Sequence, residues 1–161
     1  MRKVIFLDRD GVIIKERGDY NYLSDHLIML EGIVEALQKL SRQGFDFIIV
    51  SNQGGIARGL YKTKDVKYIH DSIKQFLKTF GITILDIIYC PHHPDISACI
   101  CRKPDSLMIE KMLHIYNIDP ESSWLIGDQD RDIEAGQKAG LNTILIEPND
   151  DLNNYLEAVG L

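Results

Sequence analysis

The sequence predicts an α/β fold: a doubly wound (Rossmann-like) parallel sheet with flanking helices. Three observations lead there. Short runs rich in branched apolar residues alternate with longer segments of helical period. Several of the strand-like runs end in polar residues and glycine, as in Asp8-Arg9-Asp10-Gly11 and Gly127-Asp128. No internal repeat, low-complexity stretch or linker divides the 161 residues, which are material for one core, so a single domain over 1–161 is expected.

The elements follow in order. Val4 to Leu7 reads as a buried strand. Ile33, Val34, Leu37 and Leu40 share one helical stripe, and Gly44 stands where that helix would end. Phe45 to Val50 is a second strand. From Thr63, a good N-cap, Val66, Ile69, Ile73, Phe76, Leu77 and Phe80 recur at helical spacing, and Gly81 closes the helix. Ile84 to Tyr89 is a third strand, and Asp105 is expected to cap a helix running through Tyr116. Trp124 to Ile126, a short helix from Ile133 to Ala139, Thr143 to Ile146 and a terminal helix over 151–159 complete the chain.

Composition narrows the function classes. With 45% hydrophobic and 26% charged residues the chain has the make-up of a globular protein. A formal charge of −6 argues against a general nucleic-acid binder or a protein held on anionic lipid. The apolar run at Val4 to Leu7 is cut at once by Asp8-Arg9-Asp10, too short for a signal peptide or a membrane span. A cytoplasmic monomer without nucleic-acid or membrane partners is therefore expected.

In a sheet of this kind a ligand binds outside the carboxyl ends of the strands, near the point where strand order reverses. The first strand ends in Asp8-Arg9-Asp10-Gly11, the second in Ser51-Asn52-Gln53-Gly54-Gly55, and the fourth in Gly127-Asp128-Gln129-Asp130-Arg131-Asp132. Carboxylates gathered at apolar strand ends lose hydration and repel one another unless a cation joins them. Mg²⁺ suits a site of few carboxylates, water and phosphate oxygens. Asp130 or Asp132 alone could equally well be a helix cap, but loop aspartates have no reason to collect at several strand ends.

The three cysteines all lie between positions 90 and 101, a poor disulfide framework and a better metal loop. Cys90-Pro91-His92-His93 and Cys99-Ile100-Cys101 offer three thiolates and an imidazole, from either His92 or His93, enough for a closed tetrahedral Zn²⁺ shell.

Together these residues resemble the haloacid dehalogenase superfamily of phosphohydrolases. The family's four motifs occur in order: Asp8-Arg9-Asp10-Gly11-Val12, then Ser51, Lys103, and Gly127-Asp128 with Asp132. The resemblance spans residues 4 to about 146. It implies that Asp8 is the nucleophile that becomes phosphorylated, that Asp10 is the acid/base, and that Ser51 and Lys103 hold the phosphoryl group. It also implies Mg²⁺ on the Asp8 carboxylate, the Asp10 main-chain carbonyl and Asp128.

The cysteine loop looks like that of a zinc-binding branch of this superfamily, which lacks a large cap domain. That branch contains heptose 1,7-bisphosphate 7-phosphatases and histidinol-phosphate phosphatases. The resemblance implies structural Zn²⁺ on Cys90, His92, Cys99 and Cys101, and a small phosphorylated sugar or amino-alcohol as substrate. Asn52-Gln53-Gly54-Gly55-Ile56-Ala57-Arg58-Gly59 is closer to the heptose enzymes, which makes heptose bisphosphate the expected substrate and histidinol phosphate the alternative. Arg58 and Arg102 then become candidates for bidentate contacts to a second phosphate or sugar hydroxyls. Asn52, Gln53 and the loop Glu16-Arg17-Gly18-Asp19 are further candidate substrate contacts. Gln129 stands where the heptose enzymes usually carry lysine, and the loop from Cys90 to Cys101 is short, nearer the histidinol-phosphate type. A phospho-receiver signalling domain would share the acidic cluster, the Ser and the Lys, but has no use for an acid/base at Asp10 or for the cysteine loop.

Overall fold

A computed structural model describes residues 1–160 of the chain; residue 161, the last of the expected domain, lies outside the described residues. Five parallel strands form one sheet: β1 (Val4–Leu7), β2 (Asp46–Asn52), β3 (Ile84–Cys90), β4 (Trp124–Gly127) and β5 (Asn142–Leu145), in the order β3-β2-β1-β4-β5. The chain builds outward from β1 through β2 to β3, then returns to the other side of β1. Strand order therefore reverses between β1 and β4, and that is where the carboxyl ends leave a crevice.

The sheet is buried on both faces, which is why its central strands read as unbroken apolar runs instead of alternating ones. Side chains still alternate between two cores. Ile5, Leu7, Phe47, Ile49 and Ile126 face one side, against Leu37 and Leu40 of α1 (Ile33–Arg42) and Ile69, Ile73 and Leu77 of α2 (Thr63–Thr79). Val4, Phe6, Ile48, Val50 and Leu125 face the other, against Met108, Ile109 and Met112 of α3 (Leu107–Tyr116) and Ala135 of α4 (Asp130–Lys138).

Several expected boundaries move. Thr63 is the first helical residue, not the cap; Asp65 supplies the cap by accepting the Lys62 N–H at 2.8 Å. Asp105 does not cap α3, whose N-cap position falls on Ser106. Asp130 opens α4 three residues earlier than periodicity suggested, because the polar first turn carries no apolar signal. The terminal helix is a 3₁₀ run, Leu152–Val159, with Leu152 and Leu156 buried.

Between β1 and α1 the chain makes an excursion instead of a domain. Val12, Ile13 and Ile14 sink into the core, Ile14 bridges Met29, and residues 15–28 arch over the strand ends. Asn149 pins this arch, its Oδ1 accepting from the Glu16 N–H at 2.6 Å and its Nδ2 donating to the Glu16 carbonyl at 2.9 Å.

Candidate active site

The last residues of β1, β2 and β4, with those that follow them, place Asp8, Ser51 and Asp128 at one corner, and the segment before α3 brings Lys103 to them across 95 residues of chain. Lys103 is 2% exposed, and its ammonium has three partners for its three protons. Nζ donates to Asp8 Oδ1 at 2.8 Å and the Val50 carbonyl at 2.7 Å, and lies 2.7 Å from Asp132 Oδ1. Burial alone would pull this amine below its ordinary pKa; the charges of Asp8 and Asp132 outweigh it and hold it above. Lys103 is thus a fixed cation touching the candidate nucleophile.

Its main chain is fixed as well. Asn52 donates through Nδ2 to the Lys103 carbonyl and accepts from the Lys103 N–H through Oδ1, both at 3.0 Å. This residue, expected to touch substrate, lines the cavity and also clamps the peptide that carries the lysine.

Asp128 faces Asp8 and Asp132, and one oxygen from each of the three lies within 4.8 Å of the others. Burial first, then the charges of Asp8 and Asp132, push the Asp128 carboxyl up to about 7. Its buried Oδ1 has no hydrogen-bond partner. A carboxylate crowded by carboxylates, with an orphaned oxygen, is the donor set a hard divalent cation fits. Asp132 is committed at both oxygens, to Lys103 and to the Gln129 N–H at 3.1 Å, which leaves Asp128 and the Asp8 oxygen that Lys103 does not hold. Gly11 is required beside them: its φ is +87° and a Cβ there would sit 2.2 Å from Asp128 Oδ2. Gly127 meets the same limit, since its Cβ would fall 2.3 Å from the Cβ of Asp132.

These groups open on a cavity of about 390 Å³ lined by Asp8, Asp10, Glu16, Gly18, Asp19, Tyr20, Asn52, Arg58, Lys103, Asp128, Gln129 and Arg131. Of the candidates from sequence, Glu16, Gly18, Asp19, Asn52 and Arg58 stand on its wall. Arg17 and Arg102 do not; Arg102 donates instead to the His92 carbonyl at 3.1 Å and braces the cysteine loop. Gln53 and Ser51 lie just beneath, both 1% exposed. Gln53 Nε2 donates to Ser51 Oγ at 2.8 Å and to Asp10 Oδ2 at 3.3 Å, while Tyr61 donates to its Oε1 at 2.7 Å. Tyr20 and Arg131 were not among the candidates. Arg131 could have been found: it lies three residues after Asp128, in the first turn of a helix that starts at the site.

Next to this corner, Cys90, His92, Cys99 and Cys101 converge with their ligand atoms within 4.8 Å of one another. The three cysteines are free thiols. Cys90 Sγ lies 3.4 Å from His92 Nδ1, 3.7 Å from Cys99 Sγ and 3.1 Å from Cys101 Sγ, and Cys101 Sγ is 3.2 Å from His92 Nδ1. A tetrahedral Zn²⁺ with Zn–S near 2.3 Å and Zn–N near 2.0 Å sets neighbouring ligand atoms roughly 3.5–3.8 Å apart, so the donors fit with small adjustments. His93 points away, its Nδ1 accepting from the Asp95 N–H at 3.2 Å.

A parallel sheet with a lysine-bound aspartate and a second aspartate at its strand ends defines a class of hydrolase, and the chain belongs to it: residues 13–146 match the haloacid dehalogenase-like hydrolase family. Among curated relatives, the D-glycero-α-D-manno-heptose-1,7-bisphosphate 7-phosphatase of Photorhabdus laumondii is 44% identical over 145 residues, 86% of this chain and 79% of that protein. The histidine biosynthesis bifunctional protein of Legionella pneumophila (strain Lens) is 37% identical over 147 residues, 91% of this chain but 42% of that longer protein. Among solved structures, the D,D-heptose 1,7-bisphosphate phosphatase of B. bronchiseptica, complexed with magnesium and phosphate, superposes with a TM-score of 0.85. It is 33% identical, and the match covers 99% of this chain and 88% of that one. No helix among the described residues is long and apolar enough to cross a membrane.

Proposed function

We propose that the chain, acting over residues 1–161 as one cytoplasmic, monomeric domain, is a phosphomonoesterase that removes the 7-phosphate of D-glycero-D-manno-heptose 1,7-bisphosphate. The observation that carries the chemistry is the Asp8 carboxylate held 2.8 Å from a buried Lys103 at the floor of an open cavity. An oxygen of Asp8 attacks phosphorus and the sugar alkoxide leaves, taking a proton from Asp10. Water then gives a proton back to Asp10 as it attacks the aspartyl-phosphate, which restores Asp8 and releases phosphate. Lys103 and the Ser51 hydroxyl steady the phosphoryl oxygens, where fixed donors in a dry site count most.

Mg²⁺ on Asp8, the Asp10 carbonyl and Asp128 would offset charge on the phosphoryl group. Zn²⁺ on Cys90, His92, Cys99 and Cys101 would hold the loop that delivers Lys103, two residues beyond the last ligand. With all four positions filled by protein, that zinc would be structural.

The cavity wall favours the sugar substrate. It offers Glu16, Asp19 and Gln129 to hydroxyls and Arg58 and Arg131 to a second phosphate, with Tyr20 its one aromatic residue among those described. Histidinol phosphate, the alternative, would leave those polar groups without partners. The 44% identical heptose bisphosphatase relative supports the same choice. The deciding measurement is kcat/KM with Mg²⁺ on heptose 1,7-bisphosphate, histidinol phosphate and simple sugar monophosphates. The bisphosphate is expected to lead by about tenfold or more, the worth of one well-placed charged contact. Equal or better turnover of histidinol phosphate overturns the assignment.

A further inference from the structure

Arg9 stands between the two carboxylates of Asp8-Arg9-Asp10, and it is wholly buried. Its guanidinium forks onto the Asp10 carboxylate, with Nε 3.1 Å and Nη2 2.9 Å from Oδ2. Nη2 also donates to the Asn21 carbonyl at 3.1 Å. The remaining arm, Nη1, reaches Nε2 of His70 on α2 at 3.3 Å. A guanidinium has only donors, so Nε2 accepts and the ring proton sits on Nδ1. Burial and the Arg9 charge push His70 down to about 3, which keeps the ring neutral and able to accept. His70 is 6% exposed, and its ring packs edge-on against Tyr89, at 5.5 Å between centroids.

We propose that His70 is a positioning residue for the phosphoryl transfer: it holds Arg9, and Arg9 holds the Asp10 carboxylate where it exchanges protons with the leaving oxygen and the attacking water. The inference rests on the reading of Asp10 as acid/base. Proton transfer between heavy atoms requires them within hydrogen-bond reach and aligned, and a small misplacement is costly. Arg9 is a long side chain whose fork is useful only if it cannot rotate. An acceptor on Nη1 supplies that restraint, and without it a buried donor is left unpaired. His70 does not line the cavity, and it lies 61 residues from the arginine it restrains.

The test compares kcat/KM for an alkyl phosphate, whose leaving alkoxide needs a proton, with p-nitrophenyl phosphate, whose leaving phenolate does not. His70→Leu removes the acceptor and is expected to cut the alkyl ester by about 10- to 100-fold and the aryl ester only a few-fold, because general-acid catalysis is what is lost. His70→Gln restores an acceptor and is expected to recover most of the difference. Equal losses on both esters, or a glutamine variant no better than leucine, overturn the proposal. Should His70→Leu fail to fold, Arg9→Lys keeps the charge without the fork and is expected to show the same selective loss; a uniform loss again overturns it. Asp10→Asn separates the two layers. If it too lacks the alkyl-selective loss, the acid/base reading fails; if it shows that loss and the His70 variants do not, only this inference fails.

Discussion

Asp8, Asp128 and Asp132 crowd three carboxylates into a corner that opens on the cavity, whereas Cys90, His92, Cys99 and Cys101 turn toward one another and none of them lines that cavity. The first group has an orphaned oxygen and a carboxyl pushed far from its ordinary range. In the second, four donors already lie within 4.8 Å of one another. Oxygen donors that stop short of completing a shell leave places for a phosphate and water; four nitrogen and sulfur donors leave none. On the proposed function, one cluster reacts and the other holds still. Lys103 connects them, because the loop closed by the cysteines feeds it to Asp8.

The sharpest way to break this contrast is Asp8→Asn. Turnover is expected to fall by roughly 10⁴-fold or more, the scale of losing a covalent nucleophile, while far-UV circular dichroism and zinc content stay as in the parent. Steady-state turnover near the parent's would remove Asp8 from its role. Cys101→Ser probes the other cluster. Zinc is expected to drop from about one per chain, Tm to fall, and activity to decline only as far as Lys103 loses its place. Full activity and an unchanged Tm in a zinc-free variant would end the structural role.

The smallest effect is a pH dependence. A carboxyl raised from 3.8 to about 7 in the folded state makes the metal-free protein hold its proton more tightly than the unfolded chain does. That stability is complete below about pH 4 and is lost as pH rises through about 7. Thermal melts without metal should therefore show Tm falling across that window. Mg²⁺ binds the ionised form, so its stabilisation should be larger at pH 8 than at pH 5. A Mg²⁺ shift that is the same at both values would mean that Asp128 does not ligate the ion.

Much of this was legible in advance, for definite reasons. The strands of this sheet are buried on both faces, so β1 and β2 show as apolar runs, and polar residues at their ends mark the ligand edge by topology alone. His92 rather than His93 faces the thiols. Other features could not be read along the chain. Arg102 looked as suited to an anion as Arg58, yet it is spent on the His92 carbonyl. Asn52 looked like a substrate contact, and its amide is used on both sides of the Lys103 peptide. Nothing in the spacing of Arg9 and His70 ties them together.

What the sequence by itself determined is the alternation of strand and helix, the edge at which Asp8, Ser51 and Asp128 had to meet, and the three thiols of the cysteine loop with one of two neighbouring histidines. These depend on local periodicity, residue type and the handedness of parallel crossovers, all of which are written in short stretches of chain. Only the tertiary structure decided which polar side chains face the cavity and which satisfy one another beneath it. A buried donor or acceptor takes whatever partner folding brings within about 3 Å, and for Arg9, Asn52 and Lys103 those partners include groups 51 to 95 residues away.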